Sequence, residues 1–160
     1  MSMFDAIPIS FYVVAFGIIG IIGAYACMAF NSEIQSSFLF PDTAKTAVQT
    51  TTNTFGMFDY IGVLLFIGLS LVAIISAFSI RAHPAFFFLM IFVQLISVMF
   101  SYILSQVYLN VSAQPALAAA VALFPNTTWL VSNFPIIILA LSCLLAIVTY
   151  GKPSNATMQM

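Results

Sequence analysis

Long apolar runs separated by short polar breaks dominate the pattern of residues along the chain. Crossing the core of a bilayer takes about 20 mostly apolar residues in a helix, and four runs meet that need: 7–30, 60–80, 84–109 and 135–151. The last run is short unless Trp129–Asn133 extends it. The runs are continuous rather than alternating, which favours helices over the strands of a membrane barrel. We therefore predict an all-α, integral membrane four-helix bundle, with residues 1–160 forming a single transmembrane domain.

Two longer connections join these predicted spans. The polar loop 31–58 is rich in threonine and contains Pro41-Asp42, a plausible helix start; we expect a short helix or hairpin on the membrane surface. The apolar loop 110–134 carries no charge, and Pro115 can start a short helix that Pro125 would stop. We expect this helix, between helices three and four, to lie in the membrane interface. The open alternative is a re-entrant half-helix that lines an aqueous path.

The few charged residues predict an orientation. Arg81-Ala82-His83-Pro84 forms a very short connection between the second and third spans, so these helices should form a tight antiparallel hairpin. With four spans, this turn and both termini share one side, where Arg81 and Lys152 lie. Glu33, Asp42 and Lys45 fall on the other side. The positive-inside rule then places both termini on the cytoplasmic or inner side.

Small and hydroxyl-bearing residues recur at helical spacing in every predicted span. Apolar helices gain little from the hydrophobic effect in lipid, so such faces let backbones approach and form weak hydrogen bonds. The predicted helix-packing residues are Gly17, Gly20, Gly23, Ala24, Ser70, Ala73, Ala77, Gln94, Ser97, Ser101, Ser105, Ser142 and Ala146. The stripe on helix three from Gln94 to Ser105 could also line a path for water or ions. Packing is the favoured interpretation, because serine is common at interfaces between membrane helices.

Composition narrows the class of protein. Hydrophobic residues make up 63% of the chain and charged residues 4%, against about 25% charged in soluble domains. This deficit excludes a water-soluble globule, and it excludes a nucleic-acid binder, which needs clustered Lys and Arg. The chain has 17 Phe residues, more than one four-helix core can bury. We expect the remainder to face membrane lipids or other subunits.

Groups that could carry chemistry are scarce. His83 is the single histidine and lies in a turn, while Cys27 and Cys143 belong to no C-x-x-C pattern. No Asp, Glu, Lys or Arg lies inside a predicted span; Asp5 and Asp59 mark span entrances. Membrane enzymes and coupled transporters need such groups. We therefore predict that the protein is not an enzyme and has no catalytic residues, metal site or cofactor.

One C-terminal stretch carries a resemblance. It consists of Phe124-Pro125-Asn126-Thr127-Thr128-Trp129, then Asn133-Phe134-Pro135, an apolar run, and Tyr150-Gly151-Lys152. This stretch resembles the C-terminal part of small multi-pass virion membrane proteins from lipid-containing phages and archaeal viruses. The resemblance implies a place in a virion membrane, and it supplies no functional residues to carry over.

These observations lead us to expect a non-catalytic structural or assembly subunit of a larger membrane complex, such as a virion membrane. Its partners would be lipids and other membrane or capsid subunits, in a homo- or hetero-oligomer. Two alternatives remain open: a pore or holin-like component, and an accessory subunit of a respiratory or photosynthetic complex.

Overall fold

The structure, a computed structural model, describes residues 6–79 and 87–151, and every regular element within them is helical. The predicted all-α class is therefore confirmed for this part of the chain. The elements are α1 (Ala6–Ser36), α2 (Asp42–Ser79), α3 (Phe87–Ser112), a 3-10 turn (Pro115–Leu117), α4 (Ala118–Val121), α5 (Pro125–Ser132) and α6 (Phe134–Tyr150). The described residues do not include the predicted turn at Arg81–Pro84, the two chain termini or Lys152. The membrane orientation predicted from them stays a prediction.

Helix α2 is much longer than its apolar run. It starts at Asp42, as the Pro41-Asp42 pair predicts, and continues for 38 residues. Most of the predicted loop 31–58 is therefore helical. The threonine hydroxyls explain this difference, because they donate to the carbonyl four residues earlier and so stay bonded within the helix. Such bonds are formed by Thr46, Thr50, Thr51, Thr52 and Thr54, with donor–acceptor distances of 2.9–3.0 Å.

Three described helices, α1, α2 and α3, are long and apolar enough to cross a membrane. Helix α6 is also apolar but has 17 residues. The segment from Pro115 to Val121 and helix α5 meet at a bend of 110°, the geometry of a broken span or a re-entrant loop. These features are those of a multi-pass membrane protein.

The long helices pack side by side, each on two main neighbours, in the order α1, α2, α6, α3. Helices α1 and α2 run antiparallel: Gly23 lies beside Phe55, and Asn31 donates to Gln49 across 2.9 Å. Helices α1 and α3 run parallel, since Ser10 bonds Ser101 at 2.9 Å and Gly17 lies against Tyr108.

The chain between α3 and α6 packs into the bundle. Ala120 and Phe124 are fully buried, and so are Thr127 and Val131 of α5. Trp129–Ser132, the suggested extension of the fourth span, is helical but belongs to α5. A break at Asn133, whose backbone N–H and side chain both donate to the Trp129 carbonyl, separates α5 from α6.

Candidate functional site

A buried carboxylate, Asp59 of α2, holds the first turn of α5. It is 1% exposed. Its Oδ2 accepts from the backbone N–H of Asn126 at 3.0 Å and from the Asn126 side-chain amide at 2.7 Å. Its Oδ1 accepts from the Thr127 N–H at 2.6 Å. The first N–H groups of a helix have no partner within the helix, so Asp59 caps α5 from a neighbouring helix.

Two glycines make room for this junction. A Cβ at Gly62, one turn after Asp59, would lie 2.8 Å from Thr127 Oγ1, and a Cβ at Gly17 would lie 3.1 Å from Thr127 Cγ2. Both distances are shorter than an ordinary van der Waals contact. The start of α5 can therefore sit between α1 and α2 only because both positions lack a side chain.

Aromatic side chains fill the space around the junction. The Tyr108 ring lies against Gly17, where a Cβ would come within 2.9 Å, and its hydroxyl is 3.0 Å from Thr128 Oγ1. Phe124 lies against Gly20, where a Cβ would come within 3.1 Å. Both rings are fully buried. The predicted packing residues Gly17 and Gly20 thus receive rings from other elements rather than a neighbouring backbone, Gly23 faces Phe55, and Ala24 is fully buried.

The serine stripe of α3 faces the interior. Ser97, Ser101 and Ser105 are buried, and the hydroxyls of Ser97 and Ser101 donate to Val93 and Ser97 carbonyls of their own helix. Ser101 also bonds Ser10 of α1. Gln94 donates from Nε2 to the Ser142 carbonyl on α6 at 2.8 Å. These groups join α3 to α1 and α6.

The remaining predicted packing residues lie on α2 and α6. Ser70, Ala73 and Ala77 are buried on α2. Ser142 is buried on α6, whereas Ala146 is half-buried. Within the described chain, the hydroxyls of Ser70 and Ser142 have no hydrogen-bond partner. The structure does not bring these residues to the Asp59 junction.

Beyond Asp59, helices α1 and α2 continue as a pair that we call the arm: residues 21–36, the turn 37–41, and residues 42–58. Amide side chains hold the pair together, with Asn31 bonded to Gln49 and Gln35 donating to the Lys45 carbonyl at 2.9 Å. Helix α2 in the arm exposes threonines and Asn53, and it exposes Met57 and Phe58 next to Asp59. The outer side of α1 exposes Ile22, Tyr25 and Phe30 instead.

The chemistry available at the junction is hydrogen bonding that positions a helix. Over residues 6–79 and 87–151, no group of three or more His, Cys, Asp and Glu side chains could hold a metal ion. Asp59 is the residue of this candidate site that the sequence does not reveal, because its position indicates a span entrance. A usable signal was Pro125-Asn126-Thr127, a helix start whose N–H groups need an acceptor. The spacing of 67 residues between Asp59 and Asn126 gave no indication of their contact.

No protein-family model matches the chain, and no curated protein or solved structure matches it either. Its function is therefore argued from its own geometry.

Proposed function

We propose that this chain is a non-catalytic integral membrane subunit that helps to build a larger membrane assembly, with a virion membrane as the preferred setting. In this proposal the protein spans the membrane four times, and the arm contacts other subunits on the side opposite the termini. The termini lie on the inner side, following the positive-inside rule.

The fourth span consists of α5 followed by α6. Three contacts order these helices along the bundle: Phe124 on Gly20, Phe134 on Phe66 with ring centroids 5.7 Å apart, and Tyr150 on Phe87 with centroids 5.3 Å apart. Residues 125–150 correspond to about 39 Å of helix, enough to cross a core of about 30 Å despite the break at Asn133. The short α4 then lies across the end of the bundle.

Several boundaries coincide at the level of Asp59. Helix α3 ends at Ser112, one turn past Tyr108; α5 starts at Pro125; and the apolar run of α2 starts at Tyr60. A bilayer core placed below this level covers α3, α6 and the apolar part of α2. It takes only residues 6–20 of α1, about 22 Å of helix, instead of the predicted span 7–30. The arm then lies outside the core. Helices α1 and α2 extend beyond the ends of α3 and α5, and a core of about 30 Å cannot cover their full length.

The observation that carries the assembly role is the exposed apolar side of α1 in the arm. Ile22 and Phe30 lie beyond the proposed membrane boundary, yet they are more than half exposed. At the height of Phe30, α2 presents Thr46 and Thr50, whose hydroxyls suit water, whereas nearer Asp59 it exposes Met57 and Phe58. Contiguous apolar surface outside a membrane is typical of a contact with another protein or with a second membrane. A subunit on this side would bury it.

The bundle interior supports a packed building block more than a pore. Four large side chains, Tyr108, Phe124, Phe134 and Ile138, are fully buried at its centre. The serine hydroxyls of α3 mostly bond their own helix. A pore or holin-like role and an accessory role in a respiratory or photosynthetic complex remain the alternatives, with no specific observation in their favour.

The experiment is photo-crosslinking from the arm in native membranes. A benzophenone side chain is placed at Ile22, and a matched one at Thr50 on the outer side of α2. We expect Ile22 to crosslink to protein and Thr50 to give little product. Mass spectrometry of the product identifies the partner, and a capsid or virion subunit supports the preferred setting. Crosslinks from Ile22 to lipid alone would contradict the assembly role.

A further inference from the structure

The turn at the end of the arm exposes three consecutive large apolar side chains. Phe38 is 92% exposed, Leu39 is 75% exposed and Phe40 is 44% exposed. They lie in the connection between α1 and α2, at the end of the arm. From the Asp59 level, residues 21–36 of α1 rise about 24 Å at 1.5 Å per residue.

Local hydrogen bonds close this turn at both ends. The Ser37 N–H donates to the Ile34 carbonyl at 3.2 Å, and the Leu39 N–H donates to Ser37 Oγ at 3.2 Å. On the other side, the Ala44 N–H donates to the Pro41 carbonyl at 3.0 Å. The three side chains are thus displayed on a hydrogen-bonded turn rather than along one face of a helix.

We propose that this tip, Phe38-Leu39-Phe40, inserts into the surface of a second, apposed lipid bilayer. A protein groove accepts side chains aligned on one face, whereas a bilayer interface accepts apolar side chains in any direction around a convex tip. Exposed Phe and Leu are typical of segments that enter the boundary between headgroups and acyl chains.

The net charge of the arm indicates which kind of lipid surface the tip would enter. Residues 21–58 contain Glu33, Asp42 and Lys45, two negative charges against one positive. A polybasic segment would bind anionic lipid by electrostatic attraction, and the arm has none. Insertion therefore depends on apolar contact with a zwitterionic or neutral surface, and it should respond little to salt or to anionic lipid.

The distance of the tip from the proposed membrane boundary at Asp59 favours an apposed bilayer over the protein's own. Headgroups add about 5 to 8 Å on each side of the hydrocarbon core, whereas the tip lies about 24 Å along an unbroken helix from the Asp59 level. This inference rests on the proposed membrane boundary and not on the assembly role, which the Ile22 crosslink tests separately.

The test uses the full chain in a phosphatidylcholine nanodisc mixed with empty phosphatidylcholine vesicles. We expect the discs to float with the vesicles. The Phe38→Ser/Leu39→Ser/Phe40→Ser variant should lose at least about tenfold in vesicle binding, with unchanged unfolding in detergent. The matched variant Thr50→Ser/Thr51→Ser/Thr54→Ser, also exposed on the arm, should bind vesicles like the parent chain.

Fluorescence then identifies which bilayer the tip enters. In a Trp129→Phe background, Phe38→Trp provides a single fluorophore at the tip. We expect its emission to shift to the blue on adding vesicles, and to be quenched by brominated lipid in the vesicles but not in the disc. Quenching by disc lipid would overturn the proposal by placing the tip in the protein's own membrane. Equal binding by the tip variant, or no vesicle binding by the parent chain, would also overturn it.

Discussion

Helices α1 and α2 expose different sets of side chains on the two sides of Asp59. Below it, both helices expose apolar side chains, such as Tyr12 on α1 and Leu71 on α2. Above it, α1 still exposes Ile22 and Phe30, while α2 exposes Met57 and Phe58 in the first turn and then mainly threonines and Asn53. If the membrane boundary lies at Asp59 as proposed, the comparison teaches that an apolar helix face is not by itself a lipid-facing face. The side chains that the neighbouring helix exposes at the same height are needed to tell a lipid-facing face from another kind of apolar face.

The junction at Asp59 separates these two regions, and removing its carboxylate should have the largest effect. Asp59→Ala leaves the N–H groups of Asn126 and Thr127 without their acceptor. We expect a loss of about 3 kcal/mol in the free energy of unfolding. The measurement is reversible unfolding in mixed micelles, followed by the fluorescence of Trp129 in α5.

Asp42→Ala is the matched control for that substitution, because Asp42 is exposed in the first turn of α2 within the arm. We expect it to change the free energy of unfolding by about 1 kcal/mol or less. Equal losses for Asp59→Ala and Asp42→Ala would show that the junction contributes no more than an arm surface residue.

Two glycine substitutions in α2 test the close approach of α5, and their expected effects are smaller than that of Asp59→Ala. Gly62→Ala forces the new methyl group against Thr127 Oγ1, and we expect it to lower the free energy of unfolding by about 2 kcal/mol. Gly68→Ala has open space, with nothing within 4 Å of its Cβ. It should be neutral or stabilise the helix by up to about 1 kcal/mol. A loss of stability for Gly62→Ala without a loss for Gly68→Ala supports the close approach of α5 at Gly62, and equal losses would refute it.

The smallest predicted effect concerns the hydroxyl of Tyr108. Tyr108→Phe keeps the buried ring against Gly17 but removes the hydrogen bond to Thr128, so we expect a loss of about 1 kcal/mol. Tyr102→Phe, on the exposed side of the same helix, should change the free energy of unfolding by less than half as much. If Tyr102→Phe costs as much in the unfolding assay, the Tyr108–Thr128 bond is not a stabilising contact.

The sequence predicted the helical class and the positions of the long apolar runs, because lipid crossing imposes a length and a composition that can be read directly. It predicted a helix start at Asp42 but not the continuation of that helix into the second span, since threonine in a sequence favours caps and extended structure. Here the hydroxyls bond back to their own helix, and packing against α1 stabilises it. Local composition does not report such tertiary support.

The candidate site was less predictable than the fold. Gly17 and Gly20 stand out as part of a small-residue ridge, yet the ridge does not say that Tyr108 and Phe124 fill it. Asp59 looks like a boundary residue, and it does lie at the level where α3 ends and α5 starts. Its burial depends on α5 returning between α1 and α2, a contact that only the folded chain defines.

Cysteine accessibility along α2 tests the division at Asp59 most directly. Single cysteines replace exposed residues above it (Thr50, Thr54) and below it (Leu64, Leu71), in a background where Cys27 and Cys143 are alanine. The chain is placed in lipid bilayers and treated with a membrane-impermeant maleimide. We predict rapid labelling at the two arm positions and none at the two bundle positions. Labelling that continues unchanged past Tyr60, or that is absent from Thr50 and Thr54, would contradict the account.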